Sequence, residues 1–257
     1  GSSAIYGMAC ERFFVRDFTP RQDFRNPGDS TVPEAWPITY DQMRPWYSEA
    51  EKLLGVRGEP DPLRPEAADA DLPAPPPFSA ANQVLADYLS GRGLHPYHLP
   101  MACDYTDGCM TCHSHLCRRS CKNDASRNCV LPAVTQHGAR LLPECRAVRL
   151  DTEDTKLSRV ICEDRSGMLA LSAKVVVLAA GALATPVLLL NSRSGDWPGG
   201  LANNSDWVGR NLMRHLIDLI EMWPEPGSKI TGANKEIGLN DFYFWEGQKY
   251  GTVQSFG

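Results

Sequence analysis

Fourteen of the twenty prolines fall before residue 101, and this uneven spread constrains the fold more than any other feature of the sequence. Proline fixes φ and donates no backbone hydrogen bond, so this half of the chain cannot supply the centre of a sheet. The run Pro73-Ala74-Pro75-Pro76-Pro77 and the spaced Pro60, Pro62 and Pro65 predict an extended, surface-wrapping segment over residues 19–78, interrupted by helices. Trp36, Tyr40, Trp46 and Tyr47 give that segment large anchors that a disordered linker seldom carries.

Two helices are expected within it. Thr39 can cap a helix that accepts Pro45 and ends at Gly55, with Trp46, Ala50, Leu53 and Leu54 on one face. Ser79 caps a second helix that stops at Gly91, with Val84, Leu85 and Leu89 on one side. Beyond residue 139 the texture changes. Arg140–Leu142, Arg146–Leu150 and Leu157–Cys162 read as short strands of an antiparallel set, with a turn near Asp151–Thr155. Lys174–Leu178 is a β-branched apolar run, the pattern of a strand buried on both faces. Ala180-Gly181 then turns the chain into a helix over about Ala184–Asn191. Ile217–Met222 and Asp241–Trp245 read as strands again.

Composition sets the outer bounds. At about 150 residues per domain, 257 residues allow one or two domains, and the net charge of −5 argues against nucleic acid as a partner. The longest apolar runs, Val175–Ala180 and Val187–Leu190, fall well short of the roughly 18–20 residues of a membrane-spanning helix.

The joint Val175–Leu178, Ala180-Gly181, helix has the form of a phosphate-binding turn, because a glycine permits close backbone approach and a helix N-terminus offers free N–H groups. The residues around it carry a resemblance. Gly181-Ala182-Leu183-Ala184-Thr185-Pro186-Val187-Leu188-Leu189-Leu190 resembles the second signature of the glucose–methanol–choline (GMC) oxidoreductases; Arg193-Ser194-Gly195 then departs from it. Gly1-Ser2-Ser3-Ala4-Ile5-Tyr6-Gly7-Met8 resembles that family's Gly-Ser-Ser loop. Trp36–Asp41, Pro45–Tyr47 and Glu51–Val56 resemble its flavin-covering segment. Gly200–Asn203 with Val208–Met213 resemble the stretch that closes its FAD domain. These stretches follow the family's order over nearly the whole chain.

The resemblance implies an α/β fold with an α+β mixture: an incomplete, Rossmann-like FAD-binding domain of GMC type and the start of an antiparallel substrate-domain sheet. It implies FAD-domain parts at 1–18 and 130–215, a covering segment and Cys-rich loop at 19–129, and substrate-domain sequence at 216–257. It assigns FAD contacts to Gly1, Ser2, Ser3, Tyr6, Gly7, Met8, Val148, Ala180, Gly181 and Thr185. Some family members link FAD through a histidine where Ile5 stands here, so FAD is expected to be non-covalent. The dinucleotide motif Gly-x-Gly-x-x-Gly is expected upstream of Gly1 and the catalytic histidine downstream of Gly257, so no catalytic residue is assigned; His215 reads as structural. The reaction implied is oxidation of an alcohol, sugar or polyol CH–OH group by hydride transfer to flavin. The implied partners are that small substrate and an electron-acceptor protein or quinone.

One feature stands apart. Cys109-x2-Cys112-x4-Cys117-x3-Cys121 fills a single loop, with Cys103 before it, Cys129 after it, and His113 and His115 inside. Cys109, Cys112, Cys117 and Cys121 are a candidate metal set, compatible with structural thiols or disulfides, an iron–sulfur cluster, or zinc. On that loop rests the alternative function, a metal- or iron–sulfur-binding module centred on residues 101–129.

Overall fold

The computed structural model describes residues 2–23, 28, 31–223, 225–227 and 234–256. Its regular elements are α1 (Tyr40–Leu54), β1 (Val56–Arg57), α2 (Ala80–Ser90), β2 (Tyr97–His98), β3 (Met101–Ala102), α3 (Leu131–Gln136), β4 (Arg146–Glu153), β5 (Lys156–Asp164), β6 (Gly167–Leu171), α4 (Gly181–Asn191), β7 (Ile237–Leu239), β8 (Phe244–Trp245), β9 (Gln248–Lys249) and β10 (Val253–Gln254). They form two compact units, Gly1–Ala139 with Trp223–Gly257, and Arg140–Met222. The mixture of helices and antiparallel sheets is the α+β content expected of an FAD-binding domain of this type.

Among the described residues of the first unit, the proline-rich stretch contributes one two-residue strand, β1, which pairs antiparallel with β3. α1 is set by a reciprocal cap: the Gln42 N–H donates to Thr39 Oγ1 at 3.3 Å, and the Thr39 N–H donates to Gln42 Oε1 at 2.8 Å. Gly55 ends the helix in the left-handed region at φ +56°. Pro45 lies in the second turn, where it removes the N–H that the Asp41 carbonyl would receive. The expected apolar face of α1 is not a core face, since Trp46 and Leu53 are exposed and Tyr40 is buried instead. α2 likewise buries Asn82 and Ala86 and leaves Val84 exposed. Asn82 faces inward because its Nδ2 donates to the Asn234 carbonyl and to Glu236 Oε2, each at 2.7 Å.

Residues 234–256 close this unit. β7 pairs antiparallel with both β2 and β10, and β8 pairs with β9. Asn240 Nδ2 reaches Tyr97 Oη at 2.7 Å, Asp61 Oδ2 at 2.8 Å and Glu11 Oε1 at 3.1 Å. Tyr243 donates to Asp17 at 2.9 Å and its ring stacks on Phe14. The buried Arg12 is held by Glu51 at 2.7 Å and Asp69 at 3.1 Å. A buried guanidinium keeps its charge when paired in this way.

In the second unit β4, β5 and β6 form an antiparallel meander. α4 docks beside β4 through Ser192, whose Oγ accepts from the Leu150 N–H at 2.9 Å and donates to the Leu188 carbonyl at 2.6 Å. Gly200, at φ +109°, passes so near this helix that a Cβ there would stand 2.8 Å from Leu190 Cα.

Three sequence expectations are corrected. Arg140–Leu142 and Ile217–Met222 form no strand. Lys174–Leu178 is not a buried strand: Val175 is 78% and Val177 80% exposed, and the run enters no sheet among the described residues. A β-branched apolar run encodes a preference for burial, but the ladder that makes it a strand comes from neighbours, and among the described residues none pairs with it. Among the described residues, no helix is long and apolar enough to cross a membrane.

Candidate functional site

Three stretches of the first unit run side by side. The Ala102 N–H donates to the Met8 carbonyl at 2.9 Å, and the Cys10 N–H to the Pro100 carbonyl at 2.8 Å. The Asp104 N–H donates to the Cys121 carbonyl at 2.8 Å, and the Asn123 N–H to the Ala102 carbonyl at 2.9 Å. Zipped together, they bury Met8, Leu99, Met101, Cys103 and Cys121 as one core, with Tyr6, Cys109 and Cys117 packed on it. The loop expected to face flavin and the cysteine loop are therefore one piece of structure.

Gly1 lies outside the described residues. Ser2–Ala4 is a single 3-10 turn, closed by the Ile5 N–H on the Ser2 carbonyl at 3.1 Å. Ser3 Oγ accepts from the Ala125 N–H at 3.4 Å. The Tyr6 hydroxyl donates to the Asn123 carbonyl, and burial holds that phenol well above its usual pKa. The Met8 side chain is in the core, so only its backbone is placed to meet a ligand. Gly7 is where side chains press in: a Cβ there would meet His113 Nδ1 and stand 2.8 Å from both His113 Cε1 and Lys235 Nζ. Lys122 Nζ crosses the site and donates to the Tyr6 and His115 carbonyls, each at 2.9 Å.

The thiols converge in a different combination from the one their spacing suggests. Cys103, Cys109 and Cys121 place their Sγ atoms all within 4.8 Å of one another. Cys103 and Cys109 are 3.6 Å apart, Cys109 and Cys121 3.3 Å, and Cys117 and Cys121 3.2 Å. Cys112 is half-buried and not part of that trio. The shared protons are unequally held. The hydrogen bond from Cys103 brings Cys109 down to about 5. Burial opposes ionisation of Cys117, yet the backbone N–H of Lys122 and the Cys121 thiol bring it down to about 7. Burial, followed by the Cys117 and Cys109 thiols, pushes Cys121 up to about 12.

Val148, Ala180, Gly181 and Thr185 belong to the second unit. Ala147 pairs with Cys162 and Arg149 with Ile161, so Val148 is the extra residue of a β-bulge. A bulged residue drops out of the ladder, which leaves its backbone groups free for another partner. Gly181 opens α4 at φ +84°, and among the described residues nothing outside its own turn lies within 4 Å of where its Cβ would be. The Ala180 N–H donates to Thr185 Oγ1 at 3.2 Å, so Thr185 holds the turn together. The first turn of α4 carries no acidic residue. This is an open, anion-compatible helix start.

A family model described as GMC oxidoreductase matches residues 1–217. The chain belongs to the GMC oxidoreductase family. Among its relatives, paromamine 6'-oxidase of Streptomyces fradiae is 30% identical over 91% of this chain and 44% of its own length. The fructose dehydrogenase large subunit of Gluconobacter japonicus is 28% identical over 75% of this chain and 37% of its own. The 2-methyl-1,2-propanediol dehydrogenase of Mycolicibacterium austroafricanum is 26% identical over 100% of this chain and 48% of its own. This GMC chain thus spans less than half the length of these relatives. His113, Lys122 and Lys235 were not singled out by sequence reasoning as neighbours of the Ser2–Met8 loop. Only folding brings them there, from 100 to more than 220 residues away in the chain.

Proposed function

We propose that the protein is an FAD-dependent oxidoreductase that oxidises a CH–OH group of an alcohol, sugar or polyol by hydride transfer to flavin. The observation that carries this is the family match over residues 1–217. The relatives named as a fructose dehydrogenase and a propanediol dehydrogenase support the substrate class.

The residues present fit the cofactor. The open turn at Ala180 and Gly181, with free N–H groups at the start of α4, suits a pyrophosphate. The bulge at Val148 frees backbone to meet an adenine edge. In the first unit the Ser2 and Ser3 hydroxyls supply polar contacts. The ammonium of Lys235, close to Gly7, places positive charge beside the same loop. FAD supplies the hydride acceptor when bound. The part of this chain is to hold and orient it: the Ala180–Thr185 bond fixes the turn, and the Tyr6–Asn123 bond fixes the loop. The partners are a small alcohol or sugar as donor and a quinone or electron-transfer protein as acceptor. The thiols of residues 101–129 share a compact unit with the Ser2–Met8 loop, so a metal there would accompany this function.

The test uses the full-length protein without oxygen. Non-covalent flavin that bleaches on adding members of an alcohol, sugar and polyol panel is the expected result. Absence of flavin from the purified protein, or a flavin that no such compound bleaches, refutes the proposal.

A further inference from the structure

One ammonium of the first unit has no counter-charge. Lys235 is 6% exposed, yet among the described residues its Nζ has no hydrogen-bond acceptor and no ion-pair partner. A buried cation without an anion is among the costliest arrangements a fold can carry. The acid whose charge reaches it is Glu11. Both oxygens of Glu11 are already taken. Oε1 accepts from Tyr97 and, at 3.1 Å, from Asn240; Oε2 accepts from Gln254 at 2.8 Å and Thr252 at 3.3 Å. The backbone holds the lysine in place, its N–H donating to Thr111 Oγ1 at 3.0 Å.

A second orphan lies at the same place. His113 Nδ1 is buried and has no hydrogen-bond partner among the described residues. His113 Cε1 and Lys235 Nζ each stand 2.8 Å from the point where a Gly7 side chain would begin, and His113 Nδ1 is nearer still. Two unpartnered nitrogens, 122 residues apart in the chain, therefore converge on one bare backbone position. Phe256 packs against the ring, with centroids 4.1 Å apart. Lys122 adds positive charge nearby, but two of its three N–H bonds go to the Tyr6 and His115 carbonyls, each at 2.9 Å.

The count of free donors selects the ligand. One unbalanced ammonium and one ring nitrogen match a group with a single negative charge spread over two oxygens. A pyrophosphate carries more charge than that and is matched by the start of α4. A carboxylate fits, one oxygen accepting from Lys235 and the other from His113. The position selects its source. Gly7 belongs to the loop proposed to hold flavin, and Lys235 to the stretch proposed as the start of the substrate domain.

We propose that Lys235 and His113 form a carboxylate-binding subsite at Gly7, and that the substrate is a carboxylate-bearing alcohol: a sugar acid or another hydroxy acid. The substrate class rests on the oxidoreductase reading above; the subsite does not. Lys235 is then the residue that separates acidic substrates from neutral ones, and a cationic amino sugar is repelled.

The experiment has two arms. In the first, full-length protein with its flavin is mixed without oxygen with D-gluconate and D-glucuronate, and with D-glucose as their neutral parent. One of the acids should bleach the flavin with a kcat/KM about tenfold or more above that of glucose. Lys235→Met should lower that ratio about tenfold or more, chiefly through KM, and Lys235→Arg should keep most of it. Lys235→Met removes an unpaired buried charge, so its fold is not at risk. In the second arm acetate, which has no alcohol to oxidise, is added to the same proteins. It should raise the unfolding temperature of wild type but not of Lys235→Met, and sodium chloride at equal ionic strength should do neither. Absence of an acetate effect in wild type, or an equal effect in Lys235→Met, overturns the subsite. Glucose bleaching the flavin as well as the acids do overturns the substrate class and leaves the oxidoreductase reading standing. A flavin that no compound bleaches refutes that reading instead, and the acetate arm then decides the subsite alone.

Discussion

Gly7→Ala isolates one contact in the candidate site. Gly7 is not in the left-handed region, so the added methyl strains no backbone angle. The whole cost comes from what the methyl meets: the His113 ring, with Cε1 at 2.8 Å, and the Lys235 ammonium at 2.8 Å. The lysine end is flexible. The ring is not, because it packs against Phe256 with centroids 4.1 Å apart. Forcing a methyl into such a space costs about 1–3 kcal/mol. Alanine also stiffens the unfolded chain, a gain of about 0.4–1 kcal/mol. The net loss should be about 0–2.6 kcal/mol in wild type. In a His113→Ala background only the flexible end of Lys235 is left to move aside, so Gly7→Ala should be close to neutral there. Urea unfolding of the four proteins of this cycle, in full-length form, measures both numbers. An equal cost of Gly7→Ala in the two backgrounds would refute the assignment of the cost to the His113 ring.

Four further outcomes are expected. Gly200→Ala should destabilise by about 2–4 kcal/mol, because it adds left-handed strain to a clash with the backbone at Leu190, and no single side-chain truncation should rescue it; calorimetry measures this. Asn240→Leu should cost about 1–3 kcal/mol in chemical unfolding, because Glu11, Asp61 and Tyr97 lose a shared donor inside the fold. Burial lowers the Lys235 pKa below its ordinary value, so the unfolded chain binds more protons between the two values and stability from this group rises with pH across that alkaline window. Lys235→Met should therefore be more stable than wild type at neutral pH and lose the rise, as read from unfolding midpoints across pH. Gly181→Val should lower flavin retention by the full-length protein while leaving its circular dichroism unchanged, because the φ of +84° and the open approach are both lost.

Local chemistry made part of this fold legible. Thr39 and Gly55 delimit α1, Ser79 and Gly91 delimit α2, and the short strands expected at Arg146–Leu150 and Leu157–Cys162 became β4 and β5. These depend on neighbours a few residues away. β2, β7 and β10 are strands of two or three residues, and their pairing joins Tyr97 to Gly238 and Val253 to Leu239. No periodicity can emerge from so few residues. Val175–Leu178 erred in the other direction: a strong strand pattern without a ladder. For the thiols, regular spacing favoured Cys112. The left-handed turns at Tyr105 and Thr111 bring Cys103 into the group instead, and nothing in the spacing encodes them.

The way residues 234–256 close the first unit has a consequence for synthesis on the ribosome. Gln254 donates to Glu11, 243 positions earlier in the chain, and Lys249 to Asp17, 232 positions earlier. At roughly 5–20 residues per second, Glu11 waits about 10–50 s for its partner to be made. Meanwhile the β4–β6 meander, whose pairings are all local, is already complete. The emerging chain should therefore fold from its middle outward, with the Glu11 and Asp17 contacts left open until β9 and β10 are made, and that interval is when a chaperone has most to bind.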